Sequence, residues 1–272
     1  MSNIFADATT ATNDGIEEDF LGGGGVLPSD IYNFEIKTAY LRGASSSKAM
    51  SVNFIFDING KEVRQQIWVS NRNGDVTYED KKTKDKKNLP GFNQVNSLSL
   101  LMLGQELGEM AVEERTIRIY DFEAKKEVPQ AVDCFIDLHG KKGQMALQQQ
   151  TVDKTKKDDN GSYVPTGETR DQNEVVKFFA EQKPVTISEL VEFVKGLGET
   201  YDDIRRQGDP AILVGKMPDD AGVYASSWLA KNKNEVYDKS KGASKNGGKS
   251  FAGAATSGGN EEVSEKKTSL FD

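Results

Sequence analysis

The chain has 272 residues, of which 36% are hydrophobic, with a mean hydropathy of −0.61 and a net charge of −8. This length fits one large domain with appended segments, and the low apolar content predicts that part of the chain stays unpacked. The absence of a run of about 18 apolar residues argues against a membrane span, and residues 1–20 lack the pattern of a secretory signal. The single cysteine, Cys134, excludes an internal disulfide and fits a reducing compartment, so the expected location is the cytoplasm.

The negative charge is concentrated at the two ends of the chain. Residues 1–30 contain six acids and no lysine or arginine, and residues 261–272 contain four acids and two lysines. Subtracting these ten acids and two bases from the totals of 43 and 35 leaves 33 of each in residues 31–260. The central part is therefore neutral, and the chain is patterned rather than uniformly acidic.

The first ordered segment is predicted to follow an acidic arm. Residues 1–27 read as a flexible arm, because four consecutive glycines at 22–25 do not belong to a stable helix or strand. Beyond this arm, apolar and aromatic residues alternate with polar ones. This period of two predicts a strand with one face formed by Tyr32, Phe34, Ile36, Thr38 and Tyr40.

A β-hairpin centred on Asn59-Gly60 is the strongest local signal. Apolar residues fill the even positions from Met50 to Ile58, and Asn-Gly favours a tight turn with positive φ at both residues. One face of the returning strand carries Val63, Ile67 and Val69, and the other carries Arg64, Gln66, Trp68 and Ser70. A tryptophan beside a cation and an amide is suited to stacking a nucleic-acid base.

A lysine-rich loop follows this hairpin. Tyr78 precedes five lysines between Lys81 and Lys87, and aromatic rings combined with cations are what single-stranded nucleic acid requires. The alternative for such a charge run is a solvated loop without a ligand. After the loop, Pro90 opens a predicted helix whose apolar residues recur at helical spacing: Phe92, Val95, Leu98, Leu101 and Met102.

A second set of strands is predicted after this helix. In residues 115–122, Ile117 and Ile119 share one face, and the other face again combines arginine with aromatics: Arg118, Tyr120 and Phe122. Residues 131–138 predict a strand with one face formed by Val132, Cys134, Ile136 and Leu138. Residues 139–143 predict a turn, and residues 144–152 predict the returning strand.

The remainder of the chain is predicted to be loop, helix and disordered tail. Residues 153–172 are polar and turn-rich, which predicts a long surface loop carrying Lys154, Lys156, Lys157 and Tyr163, and residues 173–182 fit a strand or a helix. Thr186 and Glu189 have capping-box spacing and start a predicted amphipathic helix, and a further helix is expected around Trp228. The Gly/Ser/Lys-rich composition from residue 239 predicts disorder.

Few residues suited to catalysis are present. One histidine, His139, and one cysteine exclude a Cys/His zinc cluster, and residues 248–250 (GKS) lack the context of a phosphate loop. The acid pairs at 202–203 and 219–220 could hold magnesium, although such pairs are usually solvated. The sequence therefore predicts no cofactor, no metal and no enzymatic activity, and a magnesium-dependent nuclease is the catalytic alternative.

The order of elements predicts a mainly β or α+β fold. Three strands, a helix and two or three more strands with basic loops match the five-stranded OB barrel, with an inserted helix. The predicted organisation is an arm (1–27), an OB core (28–182), a helical appendage (183–238), a Gly/Ser/Lys linker (239–260) and an acidic tip (261–272).

Several of these segments together resemble bacteriophage-encoded single-stranded DNA-binding proteins. They are Leu27-Pro-Ser-Asp-Ile-Tyr, the Asn-Gly hairpin, IWVSNRNG at 67–74, Leu89-Pro-Gly-Phe, and the acidic tip after its linker. The resemblance implies coating of single strands in phage DNA replication and recombination in the host cytoplasm, with replication proteins recruited by the tail. Lys266 and Lys267 within the tip add a possible role in assisting transcription by host RNA polymerase.

The resulting hypothesis is a non-catalytic, sequence-tolerant single-stranded DNA-binding protein. The expected stacking residues are Trp68, Tyr78, Tyr120 and Phe122, and the expected phosphate contacts are Arg64, Arg118, Lys81, Lys82, Lys84, Lys86 and Lys87. The tip would bind partner proteins, and compete with DNA for the basic groove, through Glu261, Glu262, Glu265, Lys266, Lys267, Leu270, Phe271 and Asp272. The alternative is an interaction or structural module that binds a polymerase or virion component through the same aromatic face.

Overall fold

The computed structural model describes residues 25–121, 126–158, 163–200, 202 and 209–240. The predicted arm up to residue 24, Phe122, the linker beyond Ser240 and the tip residues 261–272 lie outside these ranges. The strands are β1 Asp30–Gly43, β2 Met50–Ile58, β3 Lys61–Trp68, β4 Thr77–Glu79, β5 Lys86–Asn88, β6 Glu113–Asp121, β7 Lys126–Cys134, β8 Lys142–Lys157, β9 Tyr163–Phe179 and β10 Val236–Asp238. The helices are α1 Pro90–Leu103, α2 Ile187–Gly196, α3 Pro210–Lys216 and α4 Val223–Asn232.

The predicted hairpin of β2 and β3 is confirmed. Asn59 and Gly60 both have positive φ, 55° and 79°, and the Asp57 carboxylate accepts a hydrogen bond of 2.8 Å from the Gly60 amide. The strands pair in register from Ser51 opposite Trp68 to Ile58 opposite Lys61. Their apolar faces are buried, which leaves Arg64, Gln66 and Trp68 exposed on the opposite face, as predicted.

A β-bulge in β1 overturns the prediction of a single aromatic face on this strand. Ile36 pairs with Phe56 and Thr38 pairs with Ile55, so Lys37 is an extra residue without a partner in β2. An extra residue reverses the alternation, because successive side chains point to opposite faces. Phe34 and Ile36 therefore enter the main core, whereas Tyr40 packs with Ile119 and Cys134 on the other side of the sheet.

The strands after α1 differ from the prediction in two ways. β7 ends at Cys134, and Ile136–Leu138 form a 3₁₀ turn rather than the end of a strand. The next strand, β8, does not return along β7; it pairs with β1 from Asp30 opposite Leu147 to Glu35 opposite Lys142. β7 pairs with β6 over its whole length and meets β1 only at Tyr40 opposite Cys134.

The predicted surface loop at residues 153–172 is wrong, because residues 153–157 and 163–172 extend two long strands. β8 and β9 pair from Gln144 opposite Phe179 to Lys157 opposite Tyr163. Much of the outer half is solvent-exposed on both faces, so its side chains are polar and give no apolar alternation. Residues 173–179, which fitted either a strand or a helix, belong to β9.

Both predicted helical segments after β9 are confirmed. Thr186 caps α2 with a capping box, in which its hydroxyl accepts from the Glu189 amide and the Glu189 carboxylate accepts from the Thr186 amide. α4 surrounds Trp228, which is buried against the outer side of β1, β8 and β9. Leu190, Val194, Leu213 and Val214, from α2 and α3, lie in the same buried cluster as the sheet and α1, so these helices belong to the main core.

The predicted mainly β class with associated helices is confirmed, and the described sheet is open. Its strand order is β10-β8-β1-β2-β3, with β9 on β8 and β7 joining β1 to β6. β3 and β9 are both edges among the described strands, and they face each other across a cleft. No helix within the described ranges is long and apolar enough to cross a membrane.

Candidate nucleic-acid interface

A large groove lies between the edge strands β3 and β9, and we call it the cleft. It encloses about 1210 Å³. Two glutamine side chains approach its β9 wall: the Gln65 amide donates to the Asn173 carbonyl at 3.2 Å, and the Gln94 amide of α1 donates to the Val175 carbonyl at 2.7 Å. In a closed barrel, a ladder of backbone hydrogen bonds would join β3 to β9. Here side-chain hydrogen bonds take that place, and the groove between the two strands stays open.

The charge of the cleft differs from that of the chain. Two acids, Glu62 and Glu174, line it together with six bases: Lys61, Arg64, Lys87, Arg170, Lys177 and Lys239. The cleft thus has an excess of four positive charges in a central region that is neutral overall. A groove lined by one sign of charge attracts polyanions and raises their local concentration.

Trp68 is the last residue of β3, and it is 40% exposed. Across the paired strands β3, β2 and β1, Trp68 is opposite Ser51, which is opposite Arg42. Two residues back along β3, Gln66 is opposite Asn53, which is opposite Tyr40. A flat aromatic ring beside amide and guanidinium groups can accept a stacked base. This arrangement follows from the β1 bulge, which places Tyr40 and Arg42 on the same face as Trp68.

The fully buried hydroxyl of Ser51 holds this face in place. It donates to the Arg42 carbonyl and accepts from the amides of Asn53 and Gln66, each at 3.0 Å. Three hydrogen bonds to one short side chain restrict the rotamers of both amides. The polar face beside Trp68 is therefore preorganised, which reduces the entropic cost of binding a ligand.

The first turn of α1 supports Trp68 from behind. A Cβ built on Gly91 would lie 2.1 Å from the Trp68 carbonyl oxygen and 3.2 Å from the Ile67 side chain. Only glycine allows this approach of helix to strand. Pro90 at the start of the helix and the αL residue Gly104 at its end fix the extent of α1.

The lysine-rich segment forms a small hairpin, β4 and β5, which we call the lysine hairpin (residues 77–88). Tyr78 stands directly opposite Lys87, and both line the cleft. Lys86 stands opposite Glu79, and Lys81, Lys82 and Lys84 lie in the connecting turn, so these four lysines lie outside the cleft. Three acids of the same hairpin, Glu79, Asp80 and Asp85, partly balance its charge.

Asp80 organises the turn of the lysine hairpin. Its carboxylate accepts from the backbone amides of Lys82 and Thr83 at 2.9 and 3.3 Å, and from the Lys87 ammonium at 2.6 Å. The bond from Lys87, followed by the two amides, lowers the pKa of Asp80 from 3.8 to about 2. The same ion pair raises the pKa of Lys87, so the cation opposite Tyr78 is fully charged at neutral pH.

Arg64 is held between two carboxylates. It lies 2.6 Å from Glu62 on its own strand and 2.6 Å from Glu127 on β7, and these bonds raise its pKa. Glu127 stands opposite Tyr120, and opposed residues share a face of a hairpin, so Tyr120 lies beside this ion pair. Tyr120 is 39% exposed, and neither it nor Arg118 lines the cleft.

The β9 wall adds residues that the sequence did not single out. The Lys177 ammonium lies 5.4 Å from the centre of the Tyr224 ring, a cation–π distance, and burial lowers the pKa of Lys177. Arg170 is exposed further along β9, and Lys239 follows β10. Their roles depend on contacts between distant segments, and the sequence around Lys177 fitted a strand and a helix equally well.

The cleft therefore unites four of the eleven predicted DNA-binding residues: Arg64, Trp68, Tyr78 and Lys87. Arg118 and Tyr120 lie on the β6–β7 hairpin, and Phe122 lies outside the described residues. Among the residues in the described ranges, no group of three or more His, Cys, Asp or Glu is placed to hold a metal ion.

In comparisons with known proteins, no family model, no curated protein and no solved structure matches this chain. Its class is therefore defined by fold and site alone: a mainly β protein whose open antiparallel sheet has a basic cleft, carrying exposed aromatic side chains, between two sheet edges.

Proposed function

We propose that the chain binds single-stranded nucleic acid, and DNA in particular, in the cleft without sequence preference and without catalysis. The observation that carries this proposal is the combination, on one groove, of three exposed aromatic residues with six bases: Trp68, Tyr78 and Tyr224 with the cations named above. Rings accept bases of any identity, because every base has a π-face, and cations follow the phosphates. Such a groove is suited to coating a strand rather than reading its sequence.

Each aromatic residue in the cleft has a cation nearby. Tyr78 stands opposite Lys87, Trp68 lies four residues from Arg64 on the same face of β3, and Tyr224 lies against Lys177. A nucleotide presents both a base and a phosphate, so a ring with a cation on the same wall of the cleft offers a contact for each. In this proposal Lys81, Lys82, Lys84 and Lys86 attract the strand at longer range, and Arg118 and Tyr120 contact it where it leaves the cleft.

The open sheet is proposed to be a variant of the OB barrel. Support comes from β1, whose second half pairs with β2 on one edge while β8 and β7 occupy the other, and from α1 between the third strand and the later ones. In this variant the barrel stays open between β3 and β9, and the gap serves as the binding groove. OB folds bind oligonucleotides on comparable surfaces.

A strand-coating role in phage DNA replication and recombination, in the host cytoplasm, is part of the same proposal. It rests on the resemblance given by Leu27-Pro-Ser-Asp-Ile-Tyr, the Asn-Gly hairpin and Leu89-Pro-Gly-Phe. The tip at 261–272 is proposed to recruit replication proteins and, through Lys266 and Lys267, to contact host RNA polymerase.

A second candidate is a protein-binding module, and the neutralisation of the cleft cations favours it. Arg64 has two carboxylate partners, Lys87 is paired with Asp80, and Lys239 is paired with Glu174 at 2.5 Å. Cations already paired contribute less to binding a phosphate. A protein ligand would use Trp68 and Tyr78 as apolar anchors, and its complex would depend little on salt.

The test is the salt dependence of oligo-dT binding compared with a duplex of equal length. Single-strand binding through phosphates predicts a slope of log K against log salt of about −0.7 per contact, and much weaker binding to the duplex. A salt-independent complex, or equal affinity for the duplex, would reject the proposal. Protein incubated with magnesium and oligo-dT should leave the strand intact, because the function is non-catalytic.

A further inference from the structure

The chain that precedes the described residues enters the structure at the cleft. Gly25 and Val26 line it, and the Lys61 ammonium on β3 donates a hydrogen bond to the Gly25 carbonyl. Leu27 is fixed on the opposite wall, where its amide and carbonyl bond the Asn173 side chain at 2.8 and 2.7 Å. Residues 1–24 are therefore tethered at the mouth of the cleft, at the Lys61 end of β3.

The tethered segment is negatively charged, whereas the cleft has a net positive charge. Residues 1–24 contain five acids and no lysine or arginine, against an excess of four positive charges in the cleft. Three of the acids are consecutive, Glu17, Glu18 and Asp19, and Phe20 follows them directly. Carboxylates next to an aromatic ring offer the same two kinds of contact as phosphates next to a base.

The length of the tether matches the length of the cleft wall. Gly25 lies at Lys61, and Trp68 is seven residues further along β3, about 23 Å away at the rise of a strand. Eight residues separate Gly25 from Glu17, and an extended chain of that length spans at most about 27 Å. Glu17 can therefore reach Trp68, and Phe20, five residues from Gly25 and at most about 17 Å away, can reach Arg64, without any rearrangement of the sheet.

We propose that residues 17–20 occupy the cleft of their own chain when no other ligand is bound. The acids neutralise Arg64 and Lys87 and shield the Trp68 ring from solvent, and Phe20 lies beside Arg64. The acidic tip is a weaker occupant, because its first acid, Glu261, is 21 residues beyond Ser240, and a longer tether gives a lower local concentration. The inference rests on the proposed function only for the identity of the ligand that displaces the arm.

The first experiment measures quenching of Trp68 fluorescence by acrylamide, an uncharged quencher whose access depends on exposure and not on local charge, and it needs no nucleic acid. The variant Glu17→Gln, Glu18→Gln, Asp19→Asn removes three charges from the arm, and Glu261→Gln, Glu262→Gln, Glu265→Gln removes three from the tip as a matched control. The same measurements on Trp68→Phe chains subtract the contribution of Trp228, which is only 8% exposed. At low salt the arm variant should raise the Trp68 quenching constant about twofold or more, and the difference should vanish near 1 M salt, where the screening length is about 3 Å.

The outcomes separate this inference from the proposed function. A rise in quenching for the arm variant alone supports the arm as occupant, whether or not oligo-dT binds. Unchanged quenching in the arm variant, or a rise only in the tip variant, overturns it, even if oligo-dT binds with the expected salt dependence. If both proposals hold, the arm variant also binds oligo-dT more tightly than the unsubstituted chain at low salt. The two affinities converge as salt rises.

Discussion

The lysine hairpin and the β3–β9 cleft contain similar numbers of cations but arrange them differently. The hairpin has five lysines within seven residues of sequence, and four of them point away from the cleft or lie in its turn beside acids. The cleft collects its six bases from β3, the lysine hairpin, β9 and the residue after β10, and only two acids line it. Clustering in sequence therefore did not produce the basic groove; pairing between distant strands did.

The largest expected effect comes from removing three positive charges from the cleft, compared with removing three from the lysine hairpin. Replacing Lys61, Arg170 and Lys177 with Gln should reduce the salt slope for oligo-dT by about two and the affinity about a hundredfold near 0.1 M salt, because three phosphate contacts are lost. Replacing Lys81, Lys82 and Lys86 with Gln removes the same charge and should change the slope by less than half as much. Fluorescence titrations at several salt concentrations measure both. Equal losses in the two variants would mean that the cleft has no special role.

The support of Trp68 by α1 gives the second prediction. Gly91→Ala places a methyl group against the Trp68 carbonyl and should lower the free energy of unfolding by about 1–3 kcal/mol, the usual cost of overpacking. Urea unfolding measures this change, and Trp68 emission reports movement of β3. Gly108→Ala is the matched control, since nothing lies within 4 Å of its added Cβ. Identical unfolding of the two variants would remove the argument that Gly91 is required.

The third prediction concerns the ion pair between Arg64 in the cleft and Glu127 on β7. Glu127→Gln removes one of the two carboxylates that hold this side chain, and oligo-dT affinity should rise by up to about fivefold, the range of exposed ion pairs. Glu113→Gln breaks the pair with Arg115 in the same β6–β7 hairpin, away from β3, and should have no effect. A loss of affinity in Glu127→Gln would indicate that the ion pair positions Arg64 for binding.

The smallest expected effect concerns the pH dependence of the lysine hairpin. The pKa of Asp80 is lowered from 3.8 to about 2, so its stabilisation is complete above the unfolded value and is lost as pH falls through about 2. The amide resonances of Lys82 and Thr83 should therefore keep their neutral-pH positions near pH 4 and titrate close to pH 2. Asp80→Asn should shift them already at pH 7. Titration of these amides near 3.8 would show that the Lys87 bond does not form in solution.

Elements with local signals could be predicted from the sequence. The Asn59-Gly60 turn, the helix after Pro90 and the capping box at Thr186 each depend on residues within a few positions, and each is present. The outward face of Arg64 and Trp68 followed from alternation alone, as did the apolar face of β2.

Features set by partner strands could not be predicted in this way. The bulge at Lys37 exists because β2 provides one residue fewer than β1, and it moves Tyr40 to the outer face. The outer half of the β8–β9 hairpin is largely solvated on both faces, so its polar residues looked like a loop. Arg170, Lys177 and Lys239 reach the cleft through long-range strand pairing and Tyr224 through packing of α4 on β9, and no motif at their own positions marked them.

The most direct test of the central claim follows the fluorescence of Trp68 during titration with oligo-dT. The oligo-dT should be longer than about 16 nucleotides, so that it exceeds the site size of a single binding domain. Quenching by oligo-dT and not by duplex, weakened by salt and absent in Trp68→Phe despite retained binding, is the predicted result, and Trp68→Ala should weaken binding by about 1–3 kcal/mol. Binding of oligo-dT without any change in Trp68 emission, and with full affinity in Trp68→Ala, would contradict the account, because the strand would then lie outside the cleft.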